Sequence, residues 1–399
     1  MSEARIDSIS NESNTGGPVL SGITEFSGQQ YFIPPSGTTA ERPSDCPPGS
    51  IRFNTDSAHL EYWNGLVWLE FEESSNELGG PLNGAATDGV STSGTGTRAI
   101  FAGGYAPGAK DHMDYVTIDT LGNAQDFGDL GTAIFGMSGY AGNVFGFFSG
   151  YANVGANIYR NTIASTGSSA DSTFDLSVGR GYTMGLANST RGIAVGGYTP
   201  SPSPNGTNII DYHSIPVAAN AVDFGDLIAD QVYATGTCAN SVRGIMAGGS
   251  TGPATMNNII QYITISTTGD AQDFGDLSVG RSQFGCCFSN ATRGILGGGI
   301  TGTNPTTPLN TIDFITIAST GNTIDFGDLS RTNARHAASA CSSTRGVFAG
   351  GDPHAAPFPK SNQIDFLTIQ TTGNSSDFGD LANEGRNHFS GCSNGHGGL

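Results

Sequence analysis

The sequence predicts an all-β fold assembled from repeated units, and three observations carry that prediction. Glycine supplies 60 of the 399 residues, charged residues make up only 13%, and the string Asp-Phe-Gly-Asp-Leu occurs five times. A chain rich in glycine, serine and threonine is poor in helix formers. Its charged fraction is roughly half that of an average soluble protein, which suits short strands and tight turns better than solvated helix faces.

The repeat justifies each element in turn. Arg98, Arg191, Arg243, Arg293 and Arg345 precede glycine pairs at a fixed spacing, the pairs beginning at Gly103, Gly196, Gly248, Gly298 and Gly350. A variable loop follows, then an alternating apolar strand such as Ile312–Ile317 or Ile364–Ile369. Its period of two is that of a half-buried strand. Gly-Asn or Gly-Asp steps at Gly122, Gly269, Gly321 and Gly373 supply the positive φ that hairpin turns need. The closing motif then starts at Asp126, Asp223, Asp273, Asp325 and Asp377. Ahead of each arginine lies a segment of small residues, such as Gly181–Ser189, which reads as the innermost of four strands. A worn sixth copy has Val144 in the arginine position, Ser149-Gly150 as the glycine pair and Phe174–Leu176 as the closing motif.

Six such units, each able to bury its faces only against a neighbour, predict a β-propeller over residues 83–399. Closure has two readings: six blades with a spare terminal copy at Arg386–Asn394, or a partial seventh blade. The first unit is expected to supply its own inner strand from Asp88 onward. The glycine pair, the following hydrophobic strand, the short fourth strand and the connector arginines Arg180, Arg281 and Arg386 resemble the kelch family of propellers. The chain departs from that family in placing Phe127, Phe224, Phe274, Phe326 and Phe378 where kelch repeats carry a tryptophan.

Residues 26–73 differ in composition and hold both tryptophans, Trp63 and Trp68, around an Asn64-Gly65 turn. Strands are expected near Ser50–Asn54, His59–Trp63 and Val67–Phe71 of a small β-module, after a flexible or partner-ordered arm over 1–25 and before a linker over 74–82. Gly37–Pro43, Pro48-Gly49, Ile51–Asp56 and Leu60–Gly65 followed by Trp68 resemble a module of tailed-bacteriophage structural proteins, especially fibres and tail-associated proteins of marine phages. That resemblance implies a virion protein assembled in the host cytoplasm, attached to other virion proteins through its N-terminal region and expected to be a homo-oligomer. Adhesion to a host surface glycan or receptor, or decoration of the tail, is the expected task. A carbohydrate-binding or glycan-processing propeller is the alternative.

Composition excludes some classes. Against 16 basic residues stand 35 acidic ones, and a formal charge of −19 repels nucleic acid. No stretch has the length and apolarity of a membrane-spanning helix, so membrane insertion is not expected. Six cysteines in a chain of this length do not form a disulfide framework.

The remaining constellations read as structural. The Asp-Phe-Gly triplet that binds magnesium in kinases occurs once per kinase, so its recurrence here points to turn capping, blade packing and bending. The repeated arginines are expected to pair with an aspartate of a neighbouring closing motif, and truncating one partner of such a pair is expected to cost on the order of 3 kcal/mol if the pair is fully buried. His112 and His354 fall in the loops of the first and last units, too few for a metal site. Cys287, Cys341 and Cys392 each follow a connector arginine by the same interval and are expected to occupy equivalent places in three inner strands as small packing residues. Tyr105, Tyr151 and Tyr198 follow glycine pairs directly and, with His112 and His354, are the candidate ligand contacts. No catalytic residue, metal or cofactor is expected, and the chain is read as a non-enzyme.

Overall fold

The computed structural model describes residues 34–57, 59–70, 97–151, 154–199, 206–217, 219–231, 236–250, 256–302, 307–331, 337–352 and 360–399. The chain divides into two compact units, Met1–Gly80 and Pro81–Leu399. The described residues contain no α-helix.

In the first unit, Ser36–Gly37, Ile51–Asn54, His59–Trp63 and Trp68–Glu70 form one four-stranded sheet in that order. The first pair is parallel, a partner absent from the sequence-based expectation, and the other pairs are antiparallel. The Asn64 side chain accepts from the backbone N–H groups of Leu66 and Val67, both at 2.8 Å, and so closes the expected hairpin. Arg42, Arg52, Asn54 and Glu61 of this unit meet in one polar network. Glu61 is fully buried and paired with Arg42 at 2.6 Å, with Arg52 at 3.5 Å and Asn54 at 3.2 Å beside it. Burial alone would push the Glu61 carboxyl up, but hydrogen bonds from Arg42 and Asn54 and the charges of Arg42 and Arg52 hold it below the usual carboxylate range.

The second unit consists of antiparallel sheets in which strands run from inner to outer in chain order. The second sheet comprises Ser138–Ala141, Phe145–Ser149, Asn157–Thr162 and Ala170–Asp175, and the third Met184–Ala187, Arg191–Val195, Thr207–Ser214 and Val222–Gln231. The fourth comprises Gly236–Ala239, Arg243–Ala247, Ile259–Thr264 and Gln272–Asp276. The fifth comprises Cys286–Ser289, Arg293–Gly297, Thr311–Thr316 and Ile324–Asp328, and the sixth Ala338–Cys341, Arg345–Ala349, Gln363–Thr368 and Ser376–Asp380. The first sheet, built on Arg98–Ala102, Gly108–Thr117 and Gln125–Ile134, takes its inner strand from the other end of the chain. Ser390–Ser393 pairs antiparallel with Arg98–Ala102, Cys392 opposite Ile100. The terminal copy is therefore not spare, and the inner strand expected from Asp88 lies outside the described residues. Two expected loops are partly strand: Tyr105–Ala106 folds back on Gly108–Ala109, and Ile300–Thr301 pairs with Thr307–Pro308.

Consecutive sheets are stitched at their outer edges. The hairpins close upstream of the expected Gly-Asn steps, Thr267 N–H to the Thr264 carbonyl and Ser319 N–H to the Thr316 carbonyl. The glycine beyond each turn instead donates to the phenylalanine carbonyl of the preceding closing motif: Gly167 to Phe127, Gly269 to Phe224, Gly321 to Phe274 and Gly373 to Phe326, at 2.7–2.8 Å. Ala221 N–H to the Asp175 carbonyl joins the second sheet to the third, and Gly122 N–H to the Phe378 carbonyl at 3.0 Å joins the sixth to the first. The close approach requires glycine in the motif: a Cβ on Gly275, whose φ is +149°, would lie 2.4 Å from the Gly321 carbonyl oxygen. Each junction encloses a hydrophobic cluster shared by two neighbouring sheets, the one between sixth and first sheets including Phe101, Val347, Phe378 and Phe389.

The closing motif works through a bulge. In the fourth sheet Ile260 stands opposite Gly275 and Gln261 opposite Asp273, which leaves Phe274 as the extra residue, turned into the core at 3% exposure. The flanking aspartates consequently face solvent. Asp126, Asp223, Asp273, Asp325 and Asp377 are all exposed. The expected pairing of the repeated arginines with them does not occur among the described residues. Each arginine instead lies over an aromatic ring of its own third strand, Arg191 on Tyr212 at 4.4 Å and Arg293 on Phe314 at 4.3 Å, with Arg98, Arg243 and Arg345 doing the same. That ring meets the motif phenylalanine edge-on at 5.7–6.1 Å. The guanidinium reaches a backbone carbonyl of the next sheet: Arg98 to Ala164, Arg191 to Ile265, Arg243 to Ile317, Arg293 to Ile369 and Arg345 to Ile118.

Among the described residues of the second unit, the buried ion pairs belong to the connectors. Arg180 pairs with Asp211 at 2.9 Å, Arg386 with Asp114 at 2.7 Å and Arg331 with Asp365 at 2.8 Å, and Arg281 pairs with Asp313. The carboxylates are further bound by Ser177, Ser278, Ser330 or Asn383. Where the third strand carries Tyr159 or Gln261 instead, the connector sequence has no arginine, so the pair is present as a unit or not at all.

Candidate functional site

The inner strands place glycine and small polar residues, Gly139, Gly185, Thr237, Cys287, Ser339 and Gly391, at matching second positions. These residues line a cavity of about 100 Å³ whose mouth is formed by the connectors entering the inner strands. The connectors share an unusual backbone: Gly136, Tyr182, Gln283 and His388, two or three residues before their strands, have φ of +69°, +54°, +57° and +53°. Three of these are not glycine, and left-handed backbone at such residues costs on the order of 1–3 kcal/mol each. Backbone hydrogen bonds hold successive connectors in place, Gly136 N–H to the His388 carbonyl at 2.8 Å and Tyr182 N–H to the Gly136 carbonyl at 2.7 Å.

The strained backbone brings aromatic rings together at the mouth. Phe135 lies 6.4 Å from Tyr182 and 6.2 Å from His388, and those two lie 5.9 Å apart. Tyr105, 40% exposed, meets Phe135 at 5.2 Å on one side and the Lys360 ammonium at 5.3 Å on the other. A rim of aromatic faces around a floor of hydroxyls and backbone amides can stack on an apolar ring face and hydrogen-bond its polar edge. Beneath it a further cavity of about 70 Å³ is bordered by His396. The His396 Nε2–H donates to the Ala141 carbonyl at 2.7 Å, and Gly397 N–H donates to the Ser289 carbonyl at 2.8 Å.

The sequence-predicted contacts are divided. Tyr105 does not line the cavity and touches the aromatic cluster at its mouth through Phe135. Tyr151 packs against the core between the first and second sheets, and Tyr198 is tied to Gly181 and Gly206 through backbone bridges. His112 lies apart from the aromatic mouth, beside Asp111 and Asp129, and His354 lies outside the described residues. Phe135, Tyr182 and His388 are absent from the sequence-based list because nothing local marks them; the succession of sheets, not spacing, makes them neighbours. Cys287, Cys341 and Cys392 are not equivalent, falling at the second, fourth and third positions of their strands. The connectors differ in length, so a fixed interval from an arginine does not fix register, and a one-residue slip changes the face. Burial pushes the Cys238, Cys286, Cys341 and Cys392 thiols up to about 12, which leaves them as packing groups. Compared with known proteins, the chain matches no family model and no curated protein.

Proposed function

We propose that residues 83–399 form a six-bladed, kelch-like β-propeller and that the chain is a structural, non-enzymatic protein of a tailed-phage virion, a fibre or tail-associated component. The aromatic mouth contacts a host surface glycan, and the N-terminal unit attaches the protein to its particle as part of a homo-oligomer. The observation that carries the binding role is the left-handed backbone at Tyr182 and His388, which holds two rings beside Phe135 at the mouth of a small cavity. Strain kept at a surface opening is a mark of a site rather than of a core. The fold reading rests on the six shared clusters and on the hydrogen bond that links the sixth sheet to the first. The virion reading rests on the N-terminal motif, whose Arg42, Arg52, Asn54 and Glu61 form one buried polar network.

Two arms test the proposal. A chain lacking residues 1–75 is expected to fold and to be missing from purified particles, and its normal incorporation would refute the attachment role. Particles carrying Phe135→Ala with Tyr182→Ala are expected to assemble yet adsorb more slowly to host cells. Unchanged adsorption, and unchanged retention on a glycan array, would refute the binding role.

A further inference from the structure

Outside the mouth, one cluster has the spacing of co-ligands. In the first sheet both strands of the Gly108–Thr117 and Gln125–Ile134 hairpin run ten residues, and His112 stands directly opposite Asp129. The register shifts between Lys110 and His112, so the strict alternation of faces breaks at Asp111. The His112 Nδ1 atom lies 3.7 Å from an Asp111 carboxylate oxygen and 3.8 Å from one of Asp129, and the three donor atoms all fall within 4.8 Å of one another.

We propose that Asp111, His112 and Asp129 bind a divalent transition-metal ion, zinc in the first instance. The separations are too long for hydrogen bonds between the three groups, so none of them satisfies another. They are close to those of ligands sharing one ion: bonds of about 2.0–2.2 Å in tetrahedral geometry place donors roughly 3.4 Å apart, a few tenths of an ångström inside the two distances from the His112 Nδ1 atom. The two carboxylates lie within 4.8 Å of each other. One imidazole with two carboxylates suits zinc and its neighbours in the first transition row, whereas calcium and magnesium favour all-oxygen sites. The side chains of Asp111, His112 and Asp129 are 46%, 33% and 58% exposed, so an ion has a path in and keeps open coordination positions. The adjacent Lys110 is held by Glu384 at 2.5 Å, which offsets its charge.

Isothermal titration of the full chain, stripped with chelator, tests the assignment with zinc chloride and with calcium chloride as comparator. One zinc per chain at neutral pH is expected. His112→Ala and Asp129→Asn should each weaken it about tenfold or more while leaving the metal-free melting curve unchanged. Absence of saturable zinc uptake, uptake equal to wild type in both variants, or tighter binding of calcium would each overturn the proposal.

Discussion

Removing the Asp211 carboxylate should be among the most damaging single changes in the second unit. Asp211 is fully buried and accepts from Arg180 Nη2 at 2.9 Å and from the Ser177 hydroxyl at 2.7 Å. Burial pushes the Arg180 guanidinium down while the Asp211 carboxylate opposes that shift, so Asp211→Ala strands a charge that the interior resists. Breaking such a pair from one side costs about 3–5 kcal/mol. Unfolding of a body spanning Pro81–Leu399 gains entropy worth roughly 0.7 kcal/mol per kelvin, so the melting temperature should fall by about 4–7 °C. Replacing both partners should cost less, under about 2 kcal/mol, because the pair is itself imperfect: Arg180 Nε is buried without a hydrogen bond among the described residues. The fourth sheet already shows the neutral solution, with Gln261 at the aspartate position, 1% exposed, and no arginine in the connector sequence. The assay is a double-mutant cycle of Asp211→Ala and Arg180→Leu followed by calorimetry and urea unfolding. A loss below about 1 kcal/mol for Asp211→Ala, or additivity of the two substitutions, would refute the reasoning.

Arg293→Ala should cost about 1–2 kcal/mol through loss of its contact with Phe314 and of its hydrogen bond to Ile369, and Asp377→Ala in the neighbouring closing motif should add independently; measured coupling between the two would restore the aspartate pairing excluded above. Burial depresses the imidazole of His213, 2% exposed, from 6.5 to about 4, so the unfolded chain binds its proton first. Its contribution, about 3 kcal/mol in full, is present above pH 6.5 and lost as pH falls toward 4, and His213→Phe should flatten that part of a stability-against-pH curve; an unchanged slope would count against it. A chain ending before Ser390 should lose cooperative melting, because it exposes the Arg98–Ala102 edge and the apolar junction behind it, and melting like the full chain would sink that expectation.

The sequence by itself determined the elements. The interval between each arginine and its glycine pair set the second strands and the alternation at Ile312–Ile317 and Ile364–Ile369 set the third, because each of these is a local property of φ, ψ and side-chain period. The all-β class and the N-terminal strands at Ile51–Asn54 and His59–Trp63 were legible for the same reason. Tertiary structure decided everything that depends on which elements become neighbours. It placed Ser390–Ser393 beside Arg98–Ala102, turned the repeated arginines onto rings and carbonyls rather than carboxylates, and assigned the buried ion pairs of the second unit to the connectors. It also fixed the register of the inner strands, which separates three cysteines that share an interval in sequence, and it gathered Phe135, Tyr182 and His388 from distant connectors into one mouth. Short-range sterics write turns and strands into a sequence, whereas a site made from the ends of several strands exists only after the sheets have packed, since burial and hydrogen bonding between sheets select those contacts.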